Sequence, residues 1–165
     1  MHGMKACFLA VLAIGVSLHS PITWPAGSNS LSMQSTVIGT CKVTTPPGLL
    51  NFGSIDPSGK SNVTTSTTFA IKCTKATVST AATDDGGLNF SGSKRMKHSV
   101  NPTAFLPYSV SYSGDAGFTG QGFGPGAPAQ TVTVNGTVTP AQFQNALVTS
   151  AGQVYSDTVT ITVNP

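Results

Sequence analysis

The sequence predicts an all-β Greek-key sandwich, and three observations carry that prediction. Roughly seven short segments alternate apolar and polar residues between Gly, Pro, Asn and Asp turn signals. Only 8% of the 165 residues are charged, and the five acids, Asp56, Asp84, Asp85, Asp115 and Asp157, include no Glu. Long exposed helices, which Glu, Lys and Arg normally sustain, therefore have no material here. Apolar residues make up 39% of the chain and the net charge is +3, a balance that favours collapse over disorder. The length fits one domain, or one domain with a tail.

The elements follow in order. Residues 37–43 read as a strand that runs into the Pro46-Pro47-Gly48 turn, and residues 49–53 as a second that ends before Asp56-Pro-Ser-Gly59. Residues 64–72 are rich in Thr and other β-branched side chains and predict a long strand running into Cys73. Residues 77–82 predict another, ending at Asp84-Asp-Gly-Gly87, and Leu88 and Phe90 alternate after it. Leu106, Tyr108, Val110 and Tyr112 mark a strand with Pro107 at its edge. Val132, Val134 and Val138 form the apolar face of a strand over residues 131–138. The clearest alternation is the last: Tyr155, Asp157, Val159, Ile161 and Val163 share one face, and Ser and Thr occupy the other. Only residues 140–147 look helical, for two turns at most.

The N-terminus reads as an export signal. Lys5 precedes an apolar run over residues 8–18, long enough for a signal-peptide core and too short to cross a bilayer. Cleavage is expected between about residues 17 and 27, which assigns 1–27 to a signal peptide and short leader and removes Cys7 with it. No remaining apolar run has membrane-spanning length, so no stable membrane insertion is expected after cleavage. Two cysteines are left, Cys41 and Cys73, an even number in an oxidising compartment, and a disulfide between them is the simplest reading. A metal site would need more ligands than two isolated Cys and His98 provide.

Other chemistry finds little support. Nucleic-acid binding needs a dense Lys/Arg face, whereas the chain holds eight Lys and Arg in all. A hydrolase triad or a pair of glycosidase carboxylates would need a Glu, a nucleophile elbow or facing acids. The paired Asp84 and Asp85 beside two glycines suit a turn instead. No enzymatic role, cofactor or metal is expected. The cluster Lys94-Arg-Met-Lys-His98 reads as a solvated stretch of polar strand or loop. Residues 114–130 form a Gly- and Pro-rich loop in which Phe118 and Phe123 are candidates for a surface-binding site.

Residues 28–39 are polar but carry Leu31, Met33 and Val37 at even spacing, with the small Ser35 interrupting the stripe. By pattern alone this is the first strand of the chain's own sheet. The order of several segments, however, resembles the spore coat protein U-like family of archaic chaperone–usher pilus subunits. The matching pieces are Cys41-Lys-Val43, Leu50-Asn-Phe-Gly53 with Asp56 after it, Ile71-Lys-Cys73-Thr, Gly86-Gly87, Arg95-Met96, Leu106-Pro-Tyr108-Ser-Val and Tyr155-Ser-Asp157-Thr-Val-Thr-Ile-Thr-Val163. Together they cover about residues 31 to 163.

That resemblance implies an incomplete immunoglobulin-like sandwich whose missing strand is donated by another subunit. It implies that residues 28–39 are the donor extension, with Leu31, Met33, Ser35 and Val37 entering the neighbour, and that 40–165 is the pilin domain. The acceptor groove would lie between the strand after Cys41 and the terminal strand of Tyr155, Asp157, Val159, Ile161 and Val163. The sequence stops at Pro165, directly after that strand, the form an incomplete sandwich would take. The implied partners are neighbouring subunits in a head-to-tail polymer, a periplasmic chaperone and an outer-membrane usher, and the implied destination is a surface fimbria. The alternative is a secreted, self-complete sandwich that acts as an adhesin, carbohydrate binder or coat protein.

Overall fold

The centre of the molecule is a pair of long strands whose alternation is in phase. In the computed structural model, which describes residues 30–165, β2 (Val63–Cys73) pairs antiparallel with β7 (Gln130–Val138), setting Phe69 opposite Val132 and Thr67 opposite Val134. Each strand turns every second side chain to the core, so Phe69, Ile71, Val132, Val134 and Val138 are buried while the intervening Thr, Ser and Asn face outward. β1 (Cys41–Thr45) and β6 (Ser109–Ser113) flank this pair, giving a four-stranded sheet in the order β1-β2-β7-β6. The predicted signal peptide and leader, residues 1–27, lie outside the described residues.

The opposing layer consists of short ladders. β3 (Thr83–Asp84) pairs with β9 (Ile161–Thr162), and β4 (Arg95–His98) lies between β5 (Phe105–Pro107) and β8 (Tyr155–Ser156). Leu106, Met96, Tyr155, Val159, Ile161 and Val163 pack from this side onto the four-stranded sheet. Between the sheets, α1 (Pro140–Phe143) opens with Pro140, and Gln142 Oε1 accepts the Thr139 N–H at 2.7 Å. Its Phe143 is buried beside Val138. The fold is all-β with antiparallel pairing, as the composition predicts.

Cys41 and Cys73 are joined by a disulfide across β1 and β2, with Cα atoms 4.0 Å apart. The pair is flanked by a backbone hydrogen bond from Thr74 N to Thr40 O at 2.9 Å. It therefore occupies a non-hydrogen-bonded position of the ladder, where facing side chains come closest.

Several sequence expectations are corrected. The strand expected over 37–43 starts only at Cys41, and no strand is assigned to residues 30–40. The alternation at 49–53 joins no ladder. Leu88 and Phe90 are exposed, because the chain turns through residues 87–90, with Phe90 N donating to Gly87 O at 3.2 Å, and no strand carries the two side chains onto the core. Residues 77–82 form no strand and join their neighbours through an isolated bridge between Val78 and Thr119 and backbone hydrogen bonds at Ser79 and Thr80. The strand expected through Leu106 and Tyr112 is two, β5 and β6, which belong to opposite layers and meet at Tyr108. The Gly-rich loop is partly ordered. Ser79 N donates to Phe118 O, Ala76 N to Gly120 O and Gly122 N to Cys73 O, each at 2.9 to 3.0 Å. Gly120 is required where it stands, since a Cβ there would overlap the Cys73 and Thr74 carbonyls.

Candidate functional site

Residues 154–164 run as one extended stretch with an unbroken alternation of half-buried and exposed side chains through Thr162. The backbone of its even positions points sideways, to its neighbours within the same layer. Val154 O accepts from Ser99 N at 2.9 Å, Thr158 O from Leu88 N at 3.0 Å, Thr160 O from Asp85 N at 3.2 Å and Asn164 O from Thr80 N at 3.0 Å. Ser156 pairs with Lys97 and Thr162 with Thr83 in the same sense. The odd positions, Asp157, Val159, Ile161 and Val163, must turn their N–H and C=O groups to the opposite edge. No hydrogen bond among the described residues meets that edge.

Beside this free edge lies a long apolar groove of about 860 Å³. Its far wall is residues 47–55, downstream of β1, so the strand following Cys41 is not itself the wall. Leu50 and Phe52 hold that wall against β7 because Gly136 leaves them room, and a Cβ there would come within 2.8 Å of both side chains. No backbone hydrogen bond among the described residues ties residues 49–52 to a neighbouring strand. The floor is apolar, with Met96, Leu106, Val110, Val134 and Phe143. Burying such a floor favours association by about 25 cal/mol per Å² of apolar surface covered.

One aspartate, Asp157, interrupts the apolar lining, and a second, Asp84, stands behind it on the Tyr112 phenol. Asp157 Oδ2 accepts from Tyr108 Oη at 2.8 Å and its Oδ1 from Asn89 Nδ2 at 3.0 Å. Asp84 accepts from Tyr112 Oη at 2.7 Å and Gly86 N at 3.0 Å, and pairs with Lys94 Nζ at 2.9 Å. Burial acts to raise the Asp84 pKa, but the bonds from Lys94 and Tyr112 outweigh it and hold the carboxyl below the usual range. Burial first, and the Asp157 carboxylate second, push the Tyr108 phenol well above its ordinary value; burial and Asp84 do the same to Tyr112.

The basic cluster is not the solvated stretch its composition suggests. Lys94 is paired, the Arg95 guanidinium lies 4.0 Å from the Phe105 ring centre, and His98 is buried at 4% exposure. Imidazole Nδ1 of His98 accepts from the backbone N–H groups of Val100 and Asn101, so it builds the turn after β4. Sequence gave no sign of this burial, because His98 sits in a charged run. Phe118 packs against the Phe69 cluster, while Phe123 is exposed, so the two loop phenyl groups do not form one patch.

Leu31, Met33 and Val37 are 81%, 84% and 81% exposed, and Ser35 between them is exposed as well. Among the described residues no group of three His, Cys, Asp or Glu could hold a metal ion. No helix there is long and apolar enough to cross a membrane. Residues 28–162 match the family model described as the Spore Coat Protein U domain. No curated protein matches the chain.

Proposed function

The chain belongs to the Spore Coat Protein U domain family, which is associated with chaperone–usher pilus subunits, and from that premise we propose that it is a structural pilin polymerised by donor-strand exchange. One observation carries the reading: the free backbone edge of Asp157, Val159, Ile161 and Val163 runs along an open apolar groove. An edge of this kind recruits another strand, through main-chain hydrogen bonds for affinity and alternate side chains for fit. Residues 28–39 have the matching form, with Leu31, Met33 and Val37 on one alternating stripe that Ser35 interrupts and no strand partner among the described residues.

In this reading a periplasmic chaperone covers the groove first, an outer-membrane usher presents it, and the extension of the next subunit replaces the chaperone strand. Each subunit gives one segment and receives another, a head-to-tail contact that does not close and so grows into a fibre. The product is a surface fimbria.

The test is solubility and thermal unfolding of a chain beginning at Thr40, with and without a synthetic peptide of residues 28–39. Peptide-dependent rescue of cooperative unfolding, lost when Met33 and Val37 are replaced by Asp, supports polymerisation. A shortened chain that folds stably alone and ignores the peptide would sink the proposal.

A further inference from the structure

Resting on the donor-strand reading, we infer that residues 31–38 of a second copy enter the groove antiparallel to residues 154–161 in a single register, in which Ser35 lies opposite Asp157. In that register Leu31 faces Ile161, Met33 faces Val159 and Val37 faces Tyr155, so every apolar donor position meets an apolar or aromatic partner. The outer face agrees: Ser32 meets Thr160, Gln34 meets Thr158 and Thr36 meets Ser156. The one exposed apolar residue on that face of the donor, Ile38, meets Val154, itself exposed on the edge strand.

Other registers break the match. A two-residue slip one way sets Val37 against Asp157 and Ser35 against Val159, and the opposite slip sets Met33 against Asp157 and Val37 against Gln153. A one-residue slip turns the whole apolar stripe outward. Parallel entry that keeps Ser35 at Asp157 sets Leu31 against Gln153, Ser32 against Val154 and Ile38 against Thr160. Asp157 is what makes the choice decisive. Its carboxylate already holds Tyr108 and Asn89, and an apolar side chain laid on it removes water without replacing those lost hydrogen bonds. A serine hydroxyl is small and can donate to it.

The same register requires the donor to come from another molecule. Thr40 is fixed to Thr74, with Thr40 N donating to Thr74 Oγ1 at 3.1 Å. The β2 end that leads to Thr74 belongs to the cluster on which Ile161 and Val163 pack, whereas Val63 at its start packs on the same cluster as Tyr155 and Val159, that of Val138 and Phe143. Thr40 therefore stands at the Val163 end of the groove, and Val154 at the other, about 30 Å away for an extended strand of this length. Gly39 alone separates Ile38 from Thr40, and that span reaches only about 7 Å. A chain filling its own groove would have to enter in the parallel sense.

Disulfide trapping of the full-length exported protein tests this. Gln34 and Thr158 are exposed, and their facing positions form a non-hydrogen-bonded antiparallel pair like Cys41 and Cys73, which admits a disulfide. Mixing Gln34→Cys chains with Thr158→Cys chains should give a covalent dimer on non-reducing gels, as should Thr36→Cys with Ser156→Cys. Gln34→Cys with Thr160→Cys or with Ser156→Cys should give none. Dimers trapped through Ser156 or Thr160 with Gln34 overturn the register and leave the donor-strand reading standing. Linkage of Gln34→Cys to Ser156→Cys within a single chain overturns the second-copy assignment. Failure of every pair to link, in polymers that still form, overturns both.

Discussion

The phenol of Tyr108 donates to the Asp157 carboxylate at 2.8 Å and so ties the junction of β5 and β6 to the free edge strand. Tyr108 is the residue at which the chain passes from one layer to the other, and Asp157 is the polar break in the groove edge. One bond therefore links the sandwich's interlayer crossing to the site of strand addition. Tyr108→Phe should lower stability by about 2 kcal/mol, the usual value for a hydrogen bond to a charged acceptor, read from the denaturant midpoint. Asn89 still holds Asp157 in that variant, so the fold should survive.

Alkaline pH should destabilise the protein through the same phenols. Tyr108 and Tyr112 have folded-state pKa values raised above the unfolded value of about 10. Their contribution is fully present below pH ~10 and is lost as pH rises above it, because only the unfolded chain ionises readily there. Absorbance at 295 nm should show both phenols ionising only together with unfolding. The Tyr108→Phe/Tyr112→Phe protein should lack that part of the alkaline decline; an unchanged decline would refute the assignment.

Acid should act through Asp84. Its folded pKa is depressed, so its contribution is present above the unfolded value of about 4 and is lost as pH falls through the folded one. Asp84→Asn, which leaves Lys94 without its counter-ion, should cost on the order of 2 kcal/mol at neutral pH. It should also flatten the stability curve below pH 5, measured by urea unfolding across the range.

Loss of the Cys41–Cys73 bridge, by Cys41→Ala with Cys73→Ala, frees a loop with a sequence separation of 32. Chain entropy sets the expected loss at roughly 3 to 4 kcal/mol. The readout is the difference in unfolding midpoint between this variant and the oxidised protein.

Gly136→Ala should disturb the groove wall more than the sheet. A methyl group there presses on Leu50 and Phe52, which must lift off β7. The expected cost is about 1–2 kcal/mol in stability, accompanied by slower capture of the 28–39 peptide. Equal capture by both proteins would show that this wall does not shape the groove.

Much of the architecture was legible from local pattern. Residues 131–138 and 155–163 alternate because each has one face on the core: Val132, Val134 and Val138 are buried as the pattern selected, and the Tyr155–Val163 face is half-buried against the same core. Residues 49–53 alternate as well, yet they join no ladder and line a groove instead, since alternation records burial and not hydrogen bonding. Leu88 and Phe90 have the spacing without the burial. His98 reads as part of a charged stretch and is buried, because the backbone N–H groups that hold it come from the turn it builds.

By itself the sequence determined the all-β class, the two cysteines free to pair and the faces presented by residues 131–138 and 155–163, all of which follow from composition and a two-residue period. Tertiary structure alone decided which strand edge is left without a partner among the described residues, that Asp157 and Asp84 bridge the layers through Tyr108 and Tyr112, and that residues 47–55 rather than β1 wall the groove. The reason is physical: side-chain alternation is written into neighbouring residues, whereas backbone pairing depends on which distant segment arrives at each edge.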